Sequence, residues 1–161
     1  MRSILALSLV TFLTTSCALP MTEGGDGADG ATSDAKRDIQ SVTFIQGSPP
    51  LSAELRRNQT LVVNSDLSTS LKVTNGYNAV LSEKSGTVTQ AQFDAISEKL
   101  NSVDYIYLKP LRLEAPLVGG GTETVVITSD LGAHRFASSP TTRLPPLMQE
   151  LYDNRSQYLP Q

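Results

Sequence analysis

The sequence predicts an α+β domain: a small antiparallel sheet of hairpins with two amphipathic helices packed on one face. Three observations lead there. Short β-branched runs recur between turn residues, and two pairs of them flank hairpin-type turns, at Asn75-Gly76 and at Asp130-Leu131-Gly132. A capped stretch from Thr89 places apolar residues at helical spacing, and a second, Pro-led amphipathic stretch follows near the C-terminus. Residues 41–161 amount to about 120 residues, the size of a single domain with an apolar core of its own.

In chain order, residues 41–46 (Ser-Val-Thr-Phe-Ile-Gln) are β-branched and aromatic, and Gly47-Ser48-Pro49-Pro50 ends them, so they predict a strand. Residues 59–64 read likewise, with Asn64-Ser65-Asp66 supplying turn residues. Residues 70–74 and 77–81 are expected to pair as a hairpin around Asn75-Gly76. Thr89 and Gln92 then form a Thr-x-x-Gln capping box, with Val88 and Phe93 at the staple positions around it. Phe93, Ile96, Leu100 and Val103 follow at helical spacing and define one buried face. Residues 104–108 predict a short strand whose alternation puts Tyr105 and Tyr107 on one face, a candidate interface because tyrosine is favoured at binding surfaces. Residues 123–129 and 133–137 predict a second hairpin with Gly132 in the left-handed position. The second helix is expected to start at Leu144-Pro145-Pro146, because proline suits a first turn. It carries Leu147, Met148, Leu151 and Tyr152 on one side and stops near Asn154.

The N-terminal region has a different character. Residues 1–16 hold the three parts of an export signal: Arg2, an apolar run over residues 4–13, and small residues leading to Cys17. The run is well short of the roughly 20 residues a membrane span needs, so it is expected to target the chain without crossing the bilayer. Residues 17–40 begin with the only cysteine. Residues 21–37 are Gly, Ala, Asp and Ser with almost no apolar side chain, a composition that cannot offset its ordering entropy. They predict a disordered tether, about 20 residues with an r.m.s. reach of roughly 25 Å.

The segment Leu13-Thr14-Thr15-Ser16-Cys17 resembles the lipobox of bacterial lipoproteins, with Thr14 where that family usually has leucine. In that family the cysteine thiol receives a diacylglyceryl group, a peptidase cuts just before it, and the new amine is acylated. The resemblance implies lipidation at Cys17 and a membrane partner through that anchor. With Ala18 rather than aspartate following, it also implies the periplasmic face of the outer membrane in a Gram-negative host. Ser16 and Ala18 equally satisfy the small-x-small rule of a plain secretory signal, whose cleavage after Ala18 would remove Cys17. In the domain, the element order and the segment Gly86-Thr87-Val88-Thr89-Gln90-Ala91-Gln92-Phe93 are similar to small bacterial domains of unknown function. They are more distantly similar to emfourin, a proteinaceous inhibitor of thermolysin-like metalloproteases. That resemblance implies a protease partner and assigns no residue.

Candidate chemistry is sparse. Residues 41–161 carry ten Lys and Arg against eleven Asp and Glu, with no basic stripe, which argues against nucleic acid as a partner. Gly25-Asp26-Gly27-Ala28-Asp29-Gly30 lacks the terminal glutamate and helix of a calcium loop. His134 is the only histidine, too few for zinc without a free cysteine, so no metal and no cofactor is expected. Gly119-Gly120-Gly121 leads into a strand and lacks the Lys-Ser/Thr of a phosphate loop, so it reads as a flexible connection. Glu114, Glu123, Asp130 and Glu150 offer carboxylates, but spacing alone pairs no two of them, and no Gly-x-Ser-x-Gly frames a nucleophile. The expectation is therefore a cell-envelope lipoprotein with a small non-enzymatic binding domain and no catalytic residue. A tethered or secreted metalloprotease inhibitor is the alternative, and a small hydrolase ranks third.

Overall fold

The polypeptide enters its sheet at Ile39, slightly earlier than the β-branched pattern indicates. A computed structural model describes residues 36–117 and 119–160, all within the unit Thr32–Gln161. Cys17, the lipobox-like segment and residues 17–35 of the expected tether lie outside the described residues. The strands are β1 (Ile39–Gly47), β2 (Asn58–Asn64), β3 (Ser68–Thr74), β4 (Val80–Thr87), β5 (Leu111–Arg112), β6 (Thr122–Ser129), β7 (Gly132–Ala137) and β8 (Thr142–Arg143). Six of them form one sheet in the order β4-β3-β2-β1-β6-β7, each neighbour antiparallel. β5 and β8 pair separately as a two-stranded ribbon.

Alternation along the strands decides which face is buried. Val42 lies opposite Val63 and Ile127, and Phe44 opposite Leu61 and Val125, so these side chains share the inward face and are almost fully buried. The intervening Thr43, Ile45 and Val62 point the other way and are half-buried. Two helices and a C-terminal 3-10 segment contribute Phe93, Ile96, Leu100, Met148, Leu151, Tyr152 and Tyr158 to the same cluster. The Phe44 ring stacks on Tyr158 at 6.1 Å and meets Tyr152 edge-on at 6.5 Å.

Helix α1 (Gln90–Asn101) starts where its capping box predicts. Thr89 Oγ1 accepts from the Gln92 N–H at 3.3 Å, and Gln92 Oε1 accepts from the Thr89 N–H at 2.8 Å. It ends at Asn101 with Ser102 as C-cap, so Val103, expected on the buried face, falls beyond the helix and is exposed. Helix α2 (Pro146–Asp153) has Pro in its first turn, as expected, and buries Met148, Leu151 and Tyr152.

The α+β expectation is overturned. The described residues are mostly β, one six-stranded antiparallel sheet plus a two-stranded ribbon, with only two short α-helices among them, of 12 and 8 residues. The pattern undercounted β structure for a physical reason. β4 is an edge strand, exposed at nearly every position, and therefore shows no apolar–polar alternation beyond Leu81. The strands that read as separate hairpins also join through β1, which pairs with both β2 and β6.

Two local expectations change as well. The β3–β4 turn is not a two-residue Asn-Gly turn: Thr74 pairs with Val80, leaving residues 75–79 as the loop. Asn78, not Gly76, takes positive φ (63°), while Asn75 Oδ1 accepts from the N–H groups of Tyr77 and Ala79, both at 3.0 Å. Gly76 has a packing role, since its N–H donates to Ala53 O at 2.7 Å and a Cβ there would sit 2.6 Å from Ala53 Cα. Residues 104–108 do not form a strand either, but a 3-10 turn at Tyr105–Tyr107. The second hairpin does form, with Gly132 at φ 100°.

Candidate functional site

A cleft of about 440 Å³ opens where the glycine-rich connection, the β7–β8 turn and α2 converge. Its floor is the start of β6, with Thr122 and Glu123. Glu123 is tied to the β7 end on both backbone sides: its N–H donates to Ser138 Oγ at 2.8 Å, and its carbonyl accepts from the Ser138 N–H at 2.8 Å. One wall is the turn Ser139–Thr142, closed by an isolated bridge and by a 2.8 Å hydroxyl contact between Ser139 Oγ and Thr142 Oγ1. The same turn is held from outside, because the N–H groups of Leu113 and Leu117 donate to Thr141 O and Pro140 O. β8 continues from it and carries Arg143 to the rim.

The opposite wall is α2. Gln149 and Asp153 lie one turn apart on it, so both face the cleft. The Gln149 amide nitrogen donates to Glu123 Oε2 at 3.2 Å and to Asp153 Oδ1 at 3.1 Å. A single amide thereby links two carboxylates, one on its own helix and one 26 residues earlier on β6, and ties α2 to β6. Each carboxylate keeps further lone pairs directed to solvent, since an ionised carboxylate offers about four acceptor positions. Arg143 is exposed, and among the described residues its side chain has no hydrogen bond or ion pair; the two ion pairs there are Arg37–Asp104 and Lys99–Glu150. Gly120 and Gly121 bring bare backbone to the cleft mouth. Gly121 is forced by its own chain, since a Cβ there would strike Gly47 O. Gly120 has open space around it.

The residues that the sequence singled out are dispersed. Tyr105 is fully buried, with its hydroxyl donating to Ser129 Oγ at 3.0 Å and the Arg37 guanidinium 4.9 Å from its ring centroid. Tyr107 is 74% exposed on the far side of the same 3-10 turn, so the two rings share no face. His134 meets the Tyr105 ring edge-on at 5.8 Å. Of the four carboxylates considered, Glu123 alone lines the cleft; Glu150 pairs with Lys99. Asp153, Gln149 and Arg143 were missed, and only the i, i+4 spacing of Gln149 and Asp153 hinted at a shared helix face.

Among the described residues no group of three or more His, Cys, Asp or Glu side chains is placed to hold a metal ion. No helix among them is long and apolar enough to cross a membrane. Comparison with known proteins finds no family model that matches the chain, and no curated protein matches it.

Proposed function

We propose that this chain is an exported, lipid-anchored protein whose folded domain binds a ligand without turning it over. Cys17 is the acylated residue, residues 18–36 are the spacer, and the cleft between the glycine-rich connection and α2 is the binding site. In a Gram-negative host the anchor sits in the outer membrane, with the domain on the periplasmic side. The observation that carries the binding half is the cleft itself: one concave surface collects both carboxylates, an unengaged arginine, an amide and several hydroxyls. Its volume lies within the range of small-molecule sites, about 300–1,000 Å³. Glu123 and Asp153 both hold hydrogen bonds to one amide, an arrangement that suits fixed acceptors more than a proton-shuttling pair.

The anchoring half rests on the placement of Cys17 after the apolar run. Two or more acyl chains make membrane attachment effectively stable, because each buried methylene contributes about 0.8 kcal/mol. Cys17→Ser is expected to abolish incorporation of labelled palmitate and to leave an uncleaved or soluble product. A processed Cys17→Ser protein still retained by the membrane would contradict the anchor.

A further inference from the structure

The cleft presents both signs of charge without pairing them to each other. Glu123 and Asp153 are drawn toward α2 by the Gln149 amide, while Arg143 stands on the β8 rim. Opposite charges on one surface normally gain by meeting. Among the described residues Arg143 forms no ion pair with either carboxylate, and its strand β8 is held by pairing with β5 and by the Ser139–Thr142 bridge. The residual acceptors of the two carboxylates suit an ammonium, which brings three donors and no acceptor. The free guanidinium suits a carboxylate, which it can engage through two parallel N–H donors. The same cleft is lined by the hydroxyl-bearing Thr122, Ser139 and Thr142 and the apolar Leu117 and Pro140, surroundings suited to a peptide backbone with small side chains. Gly120 offers a place to test occupancy of the cleft by substitution. It lines the cleft, does not take positive φ, and among the described residues none occupies the space a side chain there would fill.

We propose that the cleft binds a small zwitterion, an amino acid or short peptide, with its ammonium on Glu123 and Asp153 and its carboxylate on Arg143. This deepens the binding reading above and rests on the cleft being the ligand site.

The test is calorimetric titration of the protein purified in neutral detergent from cells expressing the full chain, whatever the state of its N-terminus, with alanine, trialanine, N-acetyl-trialanine and trialanine amide. Trialanine or alanine is expected to bind saturably, and capping either end to weaken binding roughly ten- to hundredfold, the size of a lost charge-assisted hydrogen bond. Couplings identify the partners. In Arg143→Gln the amide and the free acid should bind equally; in the Glu123→Gln/Asp153→Asn double variant acetylation should make no difference. Gly120→Val should block binding while leaving the melting temperature unchanged. Absence of saturable binding by alanine and trialanine overturns the proposal, and so does binding indifferent to capping. If capped and free peptides bind alike and Gly120→Val blocks both, the cleft survives as a ligand site but the zwitterion does not. The acylation experiment at Cys17 is independent of all these outcomes.

Discussion

Tyr152 is where a single residue exposes the balance of forces in this core. Its side chain is almost fully buried, its hydroxyl has no hydrogen-bond partner among the described residues, and the Arg155 guanidinium stacks 4.0 Å from its ring centroid. Burial pushes the phenol up from 10.0 to about 12, with Arg155 opposing the shift. Between about pH 10 and 12 the native state therefore retains a proton that the unfolded chain has lost. Stability from this group is complete below pH 10 and falls as pH rises toward 12, by at most roughly 1.4 kcal/mol per pH unit. Tyr158 is raised in the same direction by burial and adds to the decline. Tyr152→Phe removes an unsatisfied polar atom. It is expected to equal or exceed the wild type by up to about 1 kcal/mol at neutral pH, and to show a shallower alkaline loss. Urea midpoints across pH 9 to 12 check both.

Residue chemistry was only partly legible in the sequence. Tyr105 and Tyr107 stand two apart, which reads as one face of a strand; in a 3-10 turn the same spacing sends one ring inward and the other to solvent. The cleft was less legible still. Glu123 and Gln149 meet only because β6 and α2 pack together, a long-range contact that leaves no local pattern.

At the scale of elements, a signal built from adjacent residues held where tertiary pairing did not compete with it and failed where it did. The capping box at Thr89 is local and forms as written. Thr89→Ala is expected to cost about 1 kcal/mol, read from the denaturant midpoint, with Thr89→Ser restoring most of it. The Asn75-Gly76 pair is also a local signal, but the register of β3 and β4 overrides it and Gly76 serves the Ala53 contact instead. Gly76→Ala must displace backbone, so a loss of about 1–3 kcal/mol is expected, with faster amide exchange across residues 51–57. A reverse-turn role alone would leave that distant loop unaffected. β4 was anticipated only at its first two residues, 80 and 81, because the rest of an exposed edge strand has no buried face to print on the sequence.

For the whole molecule, the six-stranded sheet explains how so short a chain carries a core without a disulfide. β1 pairs on both sides, and its Val42 and Phe44 sit under the side chains of both helices in one cluster. The sheet also fixes where the parts of the proposed function lie. Residues 36–38 lead directly into β1, with the Arg37 N–H donating to Asn101 Oδ1 at 2.7 Å, so the spacer ends at the Ile39 end of that strand. The cleft opens at the start of β6, which is antiparallel to β1 with Gly47 opposite Thr122, and so lies toward the other end of the strand. The sheet thus separates the chain's point of attachment from its proposed ligand site. The account therefore depends most on the state of residue 17. Mass spectrometry of the mature N-terminal peptide, taken from the membrane fraction of cells expressing the full chain, decides it directly. The account requires Cys17 as the first residue, carrying a diacylglyceryl thioether and an acylated amine; an unmodified N-terminus at Leu19 would contradict it.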